Sequence, residues 1–191
     1  MLTKLRQSVK RFRQDRRGIS ALEIAIAVPV ALALTLNGIE MTRYVLLHQK
    51  TERATMTVAD LVSQGEVLTA GDLDNIFQAG ALITEPFDFG ANAAMIVSSV
   101  VGQAAGPVVE WQRVYGADPQ ASGLGGEGGP ASLPAGFIVA ESESVIMAEI
   151  QYRYTPMFPG NPILGGTIAN NTVYNYAIFR PRYTVKVRLG S

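Results

Sequence analysis

The sequence predicts an α+β protein in which one long N-terminal helix packs on an antiparallel β-sheet. An apolar run begins at Ile19, and beyond it apolar positions recur at the three- and four-residue spacing of an amphipathic helix. After Pro86 the spacing changes to two, and apolar residues alternate with polar ones. Such alternation is typical of antiparallel strands with one covered face, and the long helix would be the cover.

The first 18 residues form a basic leader that differs from the rest of the chain. The formal net charge of the 191 residues is zero, yet residues 1–18 hold seven Lys and Arg side chains, including Arg16 and Arg17, against one Asp. A basic segment can bind nucleic acid, but one that adjoins an apolar run more often holds that end of a membrane helix in the cytoplasm. We therefore expect a cytoplasmic leader over 1–18 and no nucleic-acid partner.

An apolar run follows the leader. Residues 19–36 carry no charge except Glu23, and as a helix they would extend roughly 27 Å, close to the thickness of the hydrocarbon core. Pro29 lies inside the run, where a membrane helix tolerates it. The run could be a secretory signal cut near 31–33, a twin-arginine signal or an uncleaved anchor. A carboxylate early in a short apolar core weakens both signals, so we predict a transmembrane helix over 19–38.

The residues around the start of this run resemble the processing site of type IV prepilins. Gly18 is followed by ISALE, so Glu23 stands five positions after the glycine, behind a basic leader and before an apolar run. Pro29 and the string GIEMTR at 38–43 are similar to the TadE/TadG-like proteins of the tight-adherence (Tad, or Flp-type) pilus system. The resemblance covers about residues 16–43, with a weaker likeness in the tail.

Membership of that family would imply a pilin-like fold and a role in pilus biogenesis. A prepilin peptidase would cut after Gly18 on the cytoplasmic side, leaving Ile19 as the first residue of the mature chain and Glu23 as the fifth. The protein would be a minor pseudopilin that supports adherence and biofilm formation, with Tad pilus assembly proteins and related pseudopilins as partners. It would cross the bacterial inner membrane once, with an extracytoplasmic head over 39–191 in the periplasm, or at the cell surface or pilus.

The same cut offers a physical role for Glu23. A charge at the centre of a membrane helix costs roughly 3 kcal/mol. Cutting after Gly18 would create an α-amino cation at Ile19, one helical turn from Glu23, and opposite charges attract strongly in a medium of low dielectric. We expect this amine, from the same chain or a neighbour, to neutralise the carboxylate. The alternative is that Glu23 extends to the headgroups and has no function.

Beyond the membrane, the first helix is predicted to continue to about Gly65. Its apolar stripe would comprise Met41, Val45, His48, Ala54 or Thr55, Val58 and Leu61 or Val62. The lone His48 is expected to be partly buried, since one histidine does not make a metal site. A second helix is predicted to begin at Thr69, where Asp72 approximates a capping box. The packed face of this second helix would comprise Leu73, Ile76, Phe77 and Leu82.

Five later segments have the alternation or apolar content of strands: 93–101, 109–115, 145–154, 172–179 and 183–189. The clearest is 145–154. One face of it would carry Ile146, Ala148, Ile150, Tyr152 and Tyr154, and the other face Met147, Glu149, Gln151 and Arg153. We expect the helix to cover the first face and the glutamate face to be solvated.

Two segments are rich in Gly and Pro. Residues 116–136 are predicted to be a flexible loop that does not pack, and 156–166 are predicted to be a second turn-rich loop. The first contains G-x-G-x-x-G at Gly123, Gly125 and Gly128. A nucleotide-binding loop is not predicted there, because Pro130 follows where such a loop requires a helix.

The composition leaves few groups for catalysis. The chain has no cysteine and one histidine, which excludes disulfides and thiolate chemistry and removes most parts of a serine–histidine triad. We therefore predict no catalytic residue, no metal site and no cofactor. Two other functions stay open. One is a signal-anchored periplasmic domain that binds a ligand or envelope partner and is unrelated to pili. The other is an envelope enzyme using the carboxylates of Glu141, Glu143 and Glu149.

Overall fold

The computed structural model describes residues 18–117, 121–158 and 171–190. Residues 1–17 of the predicted leader, including Arg16 and Arg17, and residues 159–166 of the second predicted loop lie outside the described residues. The described helices are α1 (Ile19–Ser63), α2 (Ala70–Ile83) and α3 (Phe89–Asn92). The described strands are β1 (Val67–Leu68), β2 (Ala93–Gln103), β3 (Gly106–Gly116), β4 (Ser144–Arg153), β5 (Thr172–Phe179) and β6 (Arg188–Leu189).

The main sheet has four antiparallel strands in the order β3-β2-β4-β5. Ser99 of β2 lies opposite Ile146 of β4, and Ile150 of β4 lies opposite Asn175 of β5. The two-residue strands β1 and β6 pair in parallel beside this sheet. The predicted α+β class, with a long apolar N-terminal helix and an antiparallel sheet, is therefore confirmed, as are four of the five predicted strands.

Helix α1 has two halves with different surroundings. None of the residues from Ile19 through Ile39 is buried. From Glu40 onward one side of the helix packs on β4, β5 and α2. Along this side the buried residues are Glu40, Leu47, Thr51, Ala54, Thr55, Val58, Ala59, Val62 and Ser63. One continuous helix thus carries an exposed apolar half and a half that belongs to the core of the head.

The start of the predicted stripe on α1 is wrong. Met41 and Val45 are 49% and 42% exposed, whereas Glu40 and Leu47 are fully buried. The apolar pattern misplaced the stripe because the residue that faces the sheet at this level is charged. The sequence alone does not show the groups that make burial of Glu40 tolerable.

Helix α2 begins as predicted. The Thr69 hydroxyl accepts a hydrogen bond from the Asp72 N–H at 3.2 Å, and the Asp72 carboxylate accepts one from the Thr69 N–H at 2.9 Å. This capping box satisfies backbone donors that the first turn leaves free. Leu73 and Phe77 are buried as expected, but Leu82 is 65% exposed and does not belong to the packed face.

The sheet is covered on both faces, which corrects the prediction of one covered face. Residues 121–136 do not form an unpacked loop, because Leu124 is fully buried against β2, β3 and β4, beside Val100, Val109, Val145 and Met147. Their backbone bonds to the edge of β3: Val109 N–H donates to Gly129 at 3.0 Å. Gly125 and Gly128 have positive φ angles of 116° and 78°, so glycine supplies the turns that packing requires.

The predicted strand at 183–189 is also wrong, because only Arg188 and Leu189 form a strand. Tyr183 and Val185 are 70% and 66% exposed. Apart from the short pairing of β6 with β1, side chains of the main sheet hold the segment in place. The Trp111 indole N–H donates to the Val187 carbonyl at 2.9 Å, and the Ser144 hydroxyl donates to the Val185 carbonyl at 2.7 Å.

Candidate functional site

The predicted processing site lies at the exposed end of α1. Gly18 is the residue before the helix, and its carbonyl accepts the Leu22 N–H at 3.1 Å, the first hydrogen bond of the helix. A Cβ added at Gly18 would meet no described atom within 4 Å. Packing among the described residues therefore does not require glycine at this position.

Glu23 lies in the exposed half of α1, one turn after Ile19, which is itself 48% exposed. Its neighbours Leu22 and Ile24 are 62% and 63% exposed. Within the described part of the chain, no hydrogen bond or ion pair reaches the Glu23 carboxylate. The structure thus brings Gly18, Ile19 and Glu23 together at one end of the apolar helix and leaves them accessible.

Helix α1 is long and apolar enough to cross a membrane. It contains 45 residues, and its most apolar 18-residue window has a mean hydropathy of 2.2 with none of that window buried. A core helix of a soluble protein of similar composition would be covered by the rest of the fold. Length, composition and exposure together make this half of the helix suited to a lipid environment.

A buried carboxylate marks the point where the exposed half of α1 meets the head. Glu40 is fully buried, and its carboxylate accepts hydrogen bonds from the Tyr154 hydroxyl and from the backbone N–H groups of Met157 and Phe158. The two backbone donors lie 3.1 and 3.3 Å from Oε2. A buried carboxylate costs much free energy unless donors surround it, and here three donors do so.

Aromatic residues surround Glu40 and make the site both apolar and rigid. The Tyr44 ring packs edge-on to Tyr154, with ring centroids 5.1 Å apart, and edge-on to His48 at 4.9 Å. His48 is partly buried, as predicted. Burial first, and then the hydrogen bond to Glu40 and its charge, raise the pKa of Tyr154 to about 12. The Arg43 guanidinium lies over the Phe87 ring, 5.6 Å from its centroid.

Sequence reasoning missed Glu40 as a structural centre. It lies within the string GIEMTR, but the predicted apolar stripe did not include it. Its partners are more than 100 residues away in the chain, since Tyr154 is separated from it by 114 positions and Met157 by 117. The one available signal was a glutamate placed directly after an apolar run.

A second buried carboxylate, Glu149, lies on the other face of the sheet. The prediction that this face is solvated is wrong, because Glu149 is fully buried beneath the segment 121–136. It accepts hydrogen bonds from the Gly123 N–H at 2.9 Å, from the Tyr174 hydroxyl at 2.6 Å and from the Ser122 hydroxyl. Burial, followed by the hydrogen bond to Glu149 and its charge, raises the pKa of Tyr174. These contacts fasten the covering segment to the sheet.

The three carboxylates considered for an enzyme do not form one site. Glu143 pairs with Arg180 at 2.9 Å on the surface, and Glu141 lies in a bridge to Gly102. Glu149 is six residues further along β4, which corresponds to about 20 Å of extended strand. Across the described ranges, no group of three or more His, Asp or Glu residues has a geometry that could hold a metal ion.

Comparison with known proteins gives no match. No protein-family model, no curated protein and no solved structure matches this chain. The resemblance to TadE/TadG-like proteins and the pilin-like fold therefore stay predictions. The class that the structure itself defines is an α+β protein with one long apolar N-terminal helix and an antiparallel four-stranded sheet.

Proposed function

We propose that this chain is a minor pseudopilin-like component of a Tad-type pilus assembly system, cut after Gly18 by a prepilin peptidase. One observation carries the proposal. A single helix begins directly after Gly18, exposes an apolar half that contains Glu23, and enters the core of the head with its second half. This arrangement is the one expected of a protein that is anchored by, and assembled through, its N-terminal helix.

The charge distribution supports a single-pass anchor in the bacterial inner membrane with the N-terminus in the cytoplasm. Residues 1–18 hold seven Lys and Arg side chains, whereas Arg43 is the first cation after Gly18. Positive charge collects on the cytoplasmic side of membrane helices. The head is then periplasmic, where it meets the Tad assembly proteins and related pseudopilins proposed as its partners.

The processing step is tested by replacing Gly18 with leucine. The peptidase needs an extended, unhindered backbone at the bond it cuts, so G18L is expected to remain as a precursor that is larger by the 18-residue leader. Gly38 is a matched control, because a Cβ there also meets no described atom within 4 Å. The variant G38L should be cut like the wild type. The measurement is intact mass and N-terminal sequencing of the membrane-bound protein.

The outcome also separates the proposal from its main alternative. A mature chain that begins at Ile19 supports processing, and its loss in G18L assigns the cut to the glycine. A wild-type chain that keeps Met1 contradicts the proposal. It would favour a signal-anchored periplasmic domain that binds a ligand or envelope partner, since such a domain needs the helix but not the cut.

A further inference from the structure

We infer that the base of the head, at Met157, lies against the phospholipid headgroups of the membrane that α1 crosses. The inference rests on the proposed membrane span in residues 19–38, but not on the cut after Gly18 or on a role in pili. It assigns a contact surface to the head itself, with a lipid surface as the partner.

The level of Met157 along α1 is fixed by Glu40. The Met157 N–H donates to both oxygens of the Glu40 carboxylate, at 3.2 and 3.1 Å, so this turn of chain lies beside residue 40 of the helix. Residue 40 is two positions beyond the predicted end of the span at Gly38, which corresponds to about 3 Å along the helix axis. The headgroup layer extends about 5–8 Å beyond the hydrocarbon on each side. Met157 is therefore expected within that layer.

The exposed chemistry at this level suits a lipid surface. Met157 is 55% exposed, and Ile39 and Met41 on the adjoining turn of α1 are 43% and 49% exposed. Glu40 itself is fully buried, and its carboxylate faces the Tyr154 hydroxyl and the N–H groups of Met157 and Phe158. One turn higher, the Arg43 guanidinium lies over the Phe87 ring and belongs to the packing of the head. Exposed apolar side chains at the end of a membrane helix suit the boundary between acyl chains and headgroups.

The opposite end of the head provides a matched control position. Val185 is 66% exposed and apolar like Met157, and its carbonyl accepts a hydrogen bond from Ser144 at the beginning of β4. Met157 follows the end of β4, which contains ten residues and so spans about 33 Å. If the base of the head rests on the membrane, Val185 is far outside it.

The experiment uses single cysteines, because the full chain has none of its own. Ile26→Cys in the apolar half of α1, Met157→Cys and Val185→Cys are each labelled with an environment-sensitive fluorophore. The full chain is reconstituted in phosphatidylcholine vesicles that contain a nitroxide either on the headgroup or near the end of the acyl chain. All three side chains are exposed, so labelling removes little packing, and circular dichroism checks that the fold is kept.

The expected result is a different quenching pattern at each position. The label at Met157 should lose most of its fluorescence to the headgroup nitroxide, the label at Ile26 to the acyl-chain nitroxide, and the label at Val185 to neither. Quenching at Ile26 without quenching at Met157 overturns the inference and leaves the span intact. No quenching at Ile26 overturns the span and the inference together. Equal quenching at Met157 and Val185 also overturns the inference, because the Met157 end of the head would then be no closer to the membrane than the Val185 end.

Discussion

Glu40 shows how a single charged residue can be part of a core. It is fully buried in α1, just after the apolar half of that helix. An unpaired carboxylate would be unstable there, yet a phenol and two backbone N–H groups surround it. Because Met157 and Phe158 donate through their backbones, the contact depends on the path of the chain more than on their side chains. Glu40 thereby joins α1 to the chain that leaves β4.

Replacing Tyr154 with phenylalanine tests this contact. The variant keeps the ring that packs on Tyr44 but removes one donor from a buried carboxylate, so the free energy of unfolding is expected to fall by about 1.5–3 kcal/mol. Tyr183→Phe is the control, because Tyr183 is 70% exposed and its variant should be within about 0.5 kcal/mol of the wild type. Urea unfolding in detergent micelles measures both. Equal stabilities of the two variants would contradict the role given to Glu40.

The burial of Tyr154 and its hydrogen bond to Glu40 together predict a pH dependence. The pKa of Tyr154 is raised to about 12 in the folded chain from 10.0, so the folded state holds the phenol proton more tightly than the unfolded state. The stabilisation is therefore fully present below pH 10 and is lost as the pH rises through about 12. The difference in stability between wild type and Y154F should shrink over this interval. A difference in stability that stays constant from about pH 8 to about pH 12 would argue against this linkage.

Glu23 is the residue-scale test of the assembly hypothesis. If its carboxylate pairs with the new amine of Ile19, Glu23→Ala and Glu23→Gln should still be cut after Gly18, because pairing begins only after the cut. Pilus-dependent adherence should fall in both, since the amine is left in or near the hydrocarbon without a partner. Membrane insertion should be no worse, because the span becomes more apolar.

The matched control for Glu23 is Glu52→Ala, which removes an exposed glutamate from the head half of the same helix. It should affect neither cutting nor adherence. Mass spectrometry reports the cut and an adherence assay reports assembly. If E23A accumulates as precursor, Glu23 is instead a recognition element of the peptidase. If Glu23→Ala and Glu23→Gln both mature and adhere normally, Glu23 has no function and extends to the headgroups.

At the scale of elements, local patterns predicted those elements whose contacts are periodic. The strands β3 and β4 follow from alternation, β2 follows from its apolar content, and the capped start of α2 follows from the pair Thr69 and Asp72. The apolar run with Gly18 and Glu23 likewise defined the candidate site, which the structure places in the exposed half of α1. The cover on the second face of the sheet could not be predicted, since Leu124 is one apolar residue among glycines. The contacts of Glu149 that fasten this segment to the sheet are long-range, and they leave no periodic pattern in the sequence.

The packing of the segment 121–136 gives an element-scale prediction. Leu124→Ala should lower the free energy of unfolding by about 2–5 kcal/mol, because it leaves a cavity between this segment and the sheet. Ile138→Ala is the control further along the same connection between β3 and β4, since Ile138 is 80% exposed and its loss should cost little. Urea unfolding midpoints compare the two. A Leu124 variant as stable as the Ile138 variant would restore the original prediction of an unpacked loop.

At the scale of the whole molecule, α1 divides the chain into an exposed apolar half and a head with its own core. The buried residues of the helix begin at Glu40, and the two cores on the faces of the sheet draw on residues from Leu47 to Val187. The apolar half contributes no buried residue to either core. The residues that form the core of the head and the apolar residues proposed to cross the membrane therefore lie in different parts of one helix, and truncation should separate them.

A fragment of residues 39–191 is accordingly expected to fold in water without detergent. It keeps Glu40 and every buried residue of α1, so its far-ultraviolet circular dichroism should show an α+β protein that unfolds cooperatively in urea.

A fragment of residues 52–191 is the comparison. It lacks Glu40, Leu47 and Thr51, and with them the hydrogen bonds to the turn at Met157 and from the Asn175 side chain. It should be less stable by several kcal/mol, about the cost of one large core truncation plus an unpaired polar group, or fail to fold. Equal stability of the two fragments would show that the first turns after the membrane belong to the anchor. Aggregation of the longer fragment, with the full chain folded in micelles, would show that the apolar half is needed to complete the head.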